Sequence, residues 1–181
     1  MFRQSSQDNG LYFLYDRADL RRCAVCNQLL NKWEEDLASV PITKTPRYNF
    51  SYSYDGVLVA TRRVKELIEG EGLVGMTFRP LQRDLFAARP SAVVAFDAKG
   101  RGTRFENKCD TCVSYESVVG ATPIMLRAGE GVGANAFART DLEFGSNDEK
   151  TPMVLCGDEV ASALKKSKLR GVDVVRVKGL D

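Results

Sequence analysis

Apolar positions recur in one order along two stretches of the chain. In residues 57–81, the apolar run Val57-Leu58-Val59-Ala60 is followed by a stripe of Val64, Leu67 and Ile68 at helical spacing. Leu73-x-Gly75-Met76-x-Phe78 then closes the stretch. In residues 153–177 the same positions hold Met153-Val154-Leu155-Cys156, then Val160, Ala163 and Leu164, then Leu169-x-Gly171-Val172-x-Val174. Each stretch predicts a strand, a helix and a second strand. Agreement through strand, helix, turn and strand in one register marks an internal repeat. Thr61 is placed to cap the first helix, and Gly70 or Gly72 to end it.

The remaining pattern supplies the context of the repeat. Residues 1–10 are polar and predict a loose end. Residues 11–15, LYFLY, read as a buried strand. Leu29, Leu30, Trp33 and Leu37 have helical spacing and predict a short helix ending before Pro41. Residues 41–46 read as a loop. Tyr48, Phe50, Tyr52 and Tyr54 alternate with polar residues, which is strand periodicity with an aromatic sheet face. Asp55-Gly56 predicts a turn into the first repeat unit. Further strands are expected at 92–96, 103–107, 118–119 and 123–126, with a turn over 98–102. Residues 129–135, rich in glycine, predict a flexible loop. The whole predicts an α+β fold: a single domain, 1–181, of two related halves, 1–90 and 91–181.

Cysteine and histidine usage narrows the chemistry. The chain has five cysteines and no histidine. It therefore holds neither a Ser-His-Asp nor a Cys-His catalytic set. Cys23-x-x-Cys26 and Cys109-x-x-Cys112 lie 86 residues apart, at matching places in the two halves. Four thiolates are the ligand set of a closed tetrahedral structural zinc site, so one zinc ion is expected to staple the halves through Cys23, Cys26, Cys109 and Cys112. The repeat offset, 96 residues, exceeds the cysteine offset by ten. An insertion at the glycine-rich loop is the expected cause. Asn27 and Val113 stand where a glycine often follows such a pair. Cys156, placed over Ala60 by the repeat, reads as a small core residue.

Other motifs point away from catalysis. Gly70-x-Gly72-x-x-Gly75 matches a dinucleotide fingerprint in letters, but it ends a helix and opens a strand, the reverse of what a phosphate site needs. The carboxylates Glu34, Glu35, Asp36, Asp84, Glu143, Asp148 and Glu149 form no evident acid–base pair, and no catalytic residue is assigned. The basic groups Arg62, Arg63, Lys65 and Lys165, Lys166, Lys168, Arg170 read as solvated helix faces. A net charge of +2 gives no electrostatic footprint for nucleic acid. No apolar run reaches the ~18 residues of a membrane span, and the N-terminus lacks a signal-peptide core, so a cytoplasmic protein is expected.

The segments VLVATRRVKELIEGEGLVGMTFRPL and FARTDLEFGSNDEKTPMVLCGDEVASALKKSKLRGVDVVRV, together with the two Cys-x-x-Cys pairs, resemble the immunity proteins of bacterial polymorphic toxin systems. The cysteine pairs are similar to those of the double-CxxCG type. The resemblance implies a non-enzymatic cytoplasmic binder that blocks a cognate toxin by direct contact. It also implies metal ligation by the four cysteines. The competing expectation is a zinc-ribbon-like nucleic-acid-binding protein, which requires a contiguous basic face.

Overall fold

The computed structural model describes residues 1–5, 9–44 and 46–177. The first half holds β1 (Phe2–Ser5), β2 (Phe50–Tyr52), β3 (Leu58–Thr61), α1 (Arg62–Gly70), β4 (Met76–Pro80) and β5 (Leu85–Pro90). The second half holds β6 (Ala92–Val94), α2 (Ala98–Arg101), β7 (Arg104–Lys108), β8 (Tyr115–Val119) and β9 (Phe137–Ser146). It continues with a 3-10 turn at Asn147–Glu149, β10 (Thr151–Cys156), α3 (Asp158–Lys166) and β11 (Asp173–Arg176). The fold is α+β, with one four-stranded sheet in the order β2-β3-β5-β4. A second, seven-stranded sheet has the order β11-β1-β10-β9-β8-β7, and β6 joins it parallel to β9.

Both repeat units form strand–helix–strand, and each is completed in the same way. In the first, β5 lies between β3 and β4, antiparallel to both. In the second, β1 lies between β10 and β11, antiparallel to both. The N-terminal strand thus does for the second unit what β5 does for the first. The expected loose end is therefore wrong for Phe2–Ser5. Residues 6–8 of that expectation lie outside the described residues.

Burial on both sides explains the apolar runs. Leu58 and Ala60 enter a core with Val64 and Ile68 of α1, while Val57 and Val59 face a second cluster with Phe13, Leu14 and Leu37. Likewise Val154 and Cys156 join the first core, and Leu155 joins a third with Phe96 and Phe144. A strand covered on both faces reads as an unbroken hydrophobic run. The first core takes α1 and α3 together, so the two units share one interior.

Phe50 and Phe137 are equivalent residues. Phe50 pairs with Ala60, and Phe137 pairs with Cys156. The phenylalanines are 87 residues apart, but their partners are 96 apart. The extra length therefore lies in the β9–β10 hairpin, not in the glycine-rich loop. That loop is held at its end, where the Ala134 carbonyl accepts the Glu159 N–H at 2.9 Å and caps α3.

Several other expectations are corrected. Residues 11–15 form no strand: the Phe13 and Leu14 N–H groups donate to Asp55 Oδ2 at 2.5 and 2.6 Å instead of to a ladder. Residues 29–37 form turns. There Asn31 competes with helical bonding, its side chain accepting from the Trp33 N–H and its carbonyl from the Glu34 N–H. The aromatic stripe is broken: only Phe50–Tyr52 is strand, and Tyr54 turns to the surface. Residues 98–102 contain a short helix, capped by the Asp97 side chain. Residues 123–126 contribute only a bridge from Leu126 to Phe96.

Candidate metal centre

The two Cys-x-x-Cys segments fold identically, 86 residues apart. Arg22 bridges Leu29, and Lys108 pairs with Tyr115. The Cys23 N–H donates to the Gln28 carbonyl and the Cys109 N–H to the Ser114 carbonyl, each at 2.9 Å. The Asn27 N–H donates to Cys23 O and the Val113 N–H to Cys109 O, again at 2.9 Å. The residue after the second cysteine is left-handed in both, with φ of 60° at Asn27 and 62° at Val113. This is the position where a glycine is favoured, because only glycine adopts that conformation without steric cost. Asn27 tolerates it. Val113, β-branched, is an outlier.

The turns bring the four sulfurs together. Their Sγ atoms all lie within 4.8 Å of one another. Cys23 Sγ is 3.8 Å from Cys109 Sγ, and Cys26 Sγ is 3.6 Å from Cys112 Sγ. A tetrahedral ion with metal–sulfur bonds of about 2.3 Å sets its sulfurs about 3.8 Å apart. The donor set and spacing therefore fit a closed four-thiolate site. All four cysteines are free, and each half contributes one buried and one half-buried thiol.

Backbone dipoles prepare the sulfurs for negative charge. N–H groups of Cys26 and Val25 hold the Cys23 thiol down to about 6. Those of Cys112 and Thr111 lower Cys109 in the same way. At Cys26 the Gln28 N–H also lowers the thiol, but burial and the neighbouring sulfurs outweigh it and push the value up to about 12. Without a metal, adjacent thiolates disfavour full ionisation. A divalent cation removes that conflict.

The extended β9–β10 hairpin reaches this centre. Asp148 pairs with Arg22 at 2.8 Å and accepts the Leu29 N–H at 3.2 Å. Lys150 donates to the Gln28 side chain at 3.0 Å and to the Tyr115 carbonyl, so one ammonium touches both knuckles. Burial lowers the Lys150 pKa; Glu143, Asp148, Cys112 and Cys26 oppose that shift. Were a divalent ion held by the four thiolates, the Lys150 charge would offset part of their excess negative charge. Lys32, buried, donates to the carbonyls of Asp55, Asp148 and Lys150 at 2.9, 2.7 and 2.6 Å. Lys32 and Lys150 had no sequence signal, because their partners are main-chain oxygens distant in the chain.

The other sequence candidates fall elsewhere. Cys156 is fully buried in the first core, and burial pushes its thiol up to about 12. Gly72 and Gly75 have φ of 64° and 83° at the exit of α1, a turn and not the start of a helix. Arg62 pairs with Asp84 and Lys65 with Glu69, both at the surface, while Lys165 lies over the Phe2 ring. Among the described residues no helix is long and apolar enough to cross a membrane. No family model matches the chain, and no curated protein matches it.

Proposed function

We propose that this chain is a cytoplasmic immunity protein that neutralises a cognate toxin by direct protein–protein contact, with one structural zinc ion and no catalytic activity of its own. The reading is carried by the four-cysteine cluster. Its thiols come in pairs from the two halves, and four sulfurs leave no coordination position open for substrate or water. Such an ion braces a surface; it does not activate a reactant. Thiolate ligands favour zinc over the harder divalent cations. The sequence resemblance supplies the partner class.

The competing nucleic-acid reading finds little support. Arg22, beside the first knuckle, is committed to Asp148, and Lys150 to Gln28 and Tyr115. The deciding experiment is co-expression with the product of the adjacent upstream gene. Growth rescue and a stable complex are expected; unrelieved toxicity, or a neighbour with no toxicity, overturns the reading.

A further inference from the structure

Beside the first knuckle lies a surface groove of about 490 Å³, floored by Leu14 and Asp55 and reaching Asn147, Asp148 and Glu149 of the extended hairpin. Three tyrosines line it: Tyr12, Tyr15 and Tyr54, 51%, 75% and 45% exposed. Their rings touch. Tyr12 stacks on Tyr54 at 4.8 Å between centroids and leans on Tyr15 at 5.3 Å. Isolated exposed aromatics are ordinary, but three joined through Tyr12 along one groove form a patch with the character of a recognition surface. Tyrosine presents large contact area at small entropic cost, with an electron-rich face.

The charges in the groove have a sign opposite to that of the whole chain. Four carboxylates, Asp16, Asp55, Asp148 and Glu149, meet two guanidiniums, Arg17 and Arg22. Both guanidiniums are already engaged. Arg17 pairs with Asp19 at 2.5 Å and donates to the Asp36 carbonyl, and Arg22 pairs with Asp148. Asp16 and Glu149 are exposed, and neither has an ion pair among the described residues. Among the described residues the groove thus offers aromatic rings and two carboxylates without an ion pair, and no cation without one.

We propose that this groove receives an arginine side chain of the partner protein. The guanidinium would stack on the tyrosines and donate to Asp16 and Glu149. Arginine suits both halves of the site, because its planar, weakly hydrated head stacks on rings and forks onto carboxylates. The same negative charge repels a phosphate backbone, so the tyrosines are not a base-stacking platform. This proposal rests on the reading of the chain as a protein binder, and it identifies what that binder recognises.

The test uses the full chain with its metal and needs no toxin. N-acetyl-arginine amide is titrated against protein carrying ¹³C-labelled tyrosine, with N-acetyl-citrulline amide as the uncharged counterpart. The arginine compound should shift the Tyr12, Tyr15 and Tyr54 ring signals saturably, and citrulline should not. Tyr54→Leu and Glu149→Gln should each weaken the effect several-fold, about tenfold together. Both are surface changes, and unchanged remaining tyrosine signals report an intact fold. Equal shifts with citrulline, shifts away from the three rings, or saturation of the same rings by a short oligouridylate would overturn the proposal. Rescue failing in co-expression while arginine binds here removes the immunity reading and leaves the groove. Rescue without arginine binding does the reverse.

Discussion

Gly75 lies against the carbonyl oxygen of Phe137, where an added Cβ would come within 2.5 Å. The equivalent glycine of the other unit, Gly171, lies against Tyr48 and the carbonyl of Phe50. Each unit's helix-to-strand turn therefore packs on the strand that precedes the other unit, β9 for Gly75 and β2 for Gly171. The hydrogen bonds are reciprocal as well. Phe137 N–H donates to Val74 O at 2.9 Å, and Asn49 N–H donates to Arg170 O at 2.8 Å. The sequence repeat is thus a two-fold arrangement in space, closed at one place by these crossed turns and at another by the cysteines.

Gly75→Ala should destabilise the protein by about 2–4 kcal/mol. The left-handed φ of 83° costs about 1–2 kcal/mol for a residue with a Cβ, and the carbonyl of Phe137 is backbone that cannot rotate away. Gly70→Ala is the control. Gly70 ends α1 without a positive φ and has open space around it, so this change should be neutral or stabilising. Urea unfolding of both variants at one pH separates them.

Val113→Gly should stabilise the metal-bound protein by roughly 0.5–1 kcal/mol, despite removing a side chain. Val113 is 61% exposed, so little burial is lost, while the strain of a β-branched residue at φ 62° is relieved. A higher midpoint in thermal or denaturant unfolding is the expected result. An equal or lower midpoint would show that the second knuckle holds this conformation without cost.

Lys32→Met should cost about 3 kcal/mol or more. The substitution keeps most of the buried stem but leaves the carbonyls of Asp55, Asp148 and Lys150 without their shared donor. It also unties the extended hairpin from the segment that carries the first knuckle. Faster metal release to a chelator should accompany the lower stability. Wild-type release rates in this variant would mean that Asp148 and Lys150 hold the hairpin without Lys32.

Metal content and pH give a linked pair of measurements. The purified protein should hold one divalent ion per chain, and Cys109→Ser should reduce that content and the melting temperature together. In metal-free protein the Cys23 thiol lies near 6, below the ordinary thiol value of 9.0. A lowered acid contributes stability that is complete above the unfolded value and lost as pH falls through the folded one. Cys26, raised to about 12, acts oppositely: its contribution is present below 9 and lost as pH rises towards 12. Stability of the metal-free form should therefore climb from pH 6 towards 9 and decline beyond it. Thiolate absorbance near 240 nm should report a first midpoint near 6, and its absence below pH 8 would contradict the N–H···S arrangement at Cys23.

The strand–helix–strand units and the pairing of Cys23, Cys26, Cys109 and Cys112 were legible in the amino-acid order. Both depend on local regularities: helical spacing of Val64, Leu67 and Ile68, apolar runs on strands buried on both faces, and two thiols separated by a turn. What local pattern did not determine was where non-local partners come from. Residues 2–5 became the central strand of a unit that begins about 150 residues later, because β10 and β11 leave between them a gap only a third strand can bond across. LYFLY looked like a strand, yet Asp55 captured its N–H groups and turned Tyr12 and Tyr15 outward beside Tyr54. Lys32 and Lys150 carry no signal in sequence, since a lysine that will be buried against carbonyls is written with the same letter as a solvated one. Sequence determined the repeated units and the four cysteines that come together. Tertiary structure decided the crossed turns, the hairpin that reaches the cysteine cluster and the tyrosine groove, because each is a contact between segments too distant in the chain for any periodicity to register.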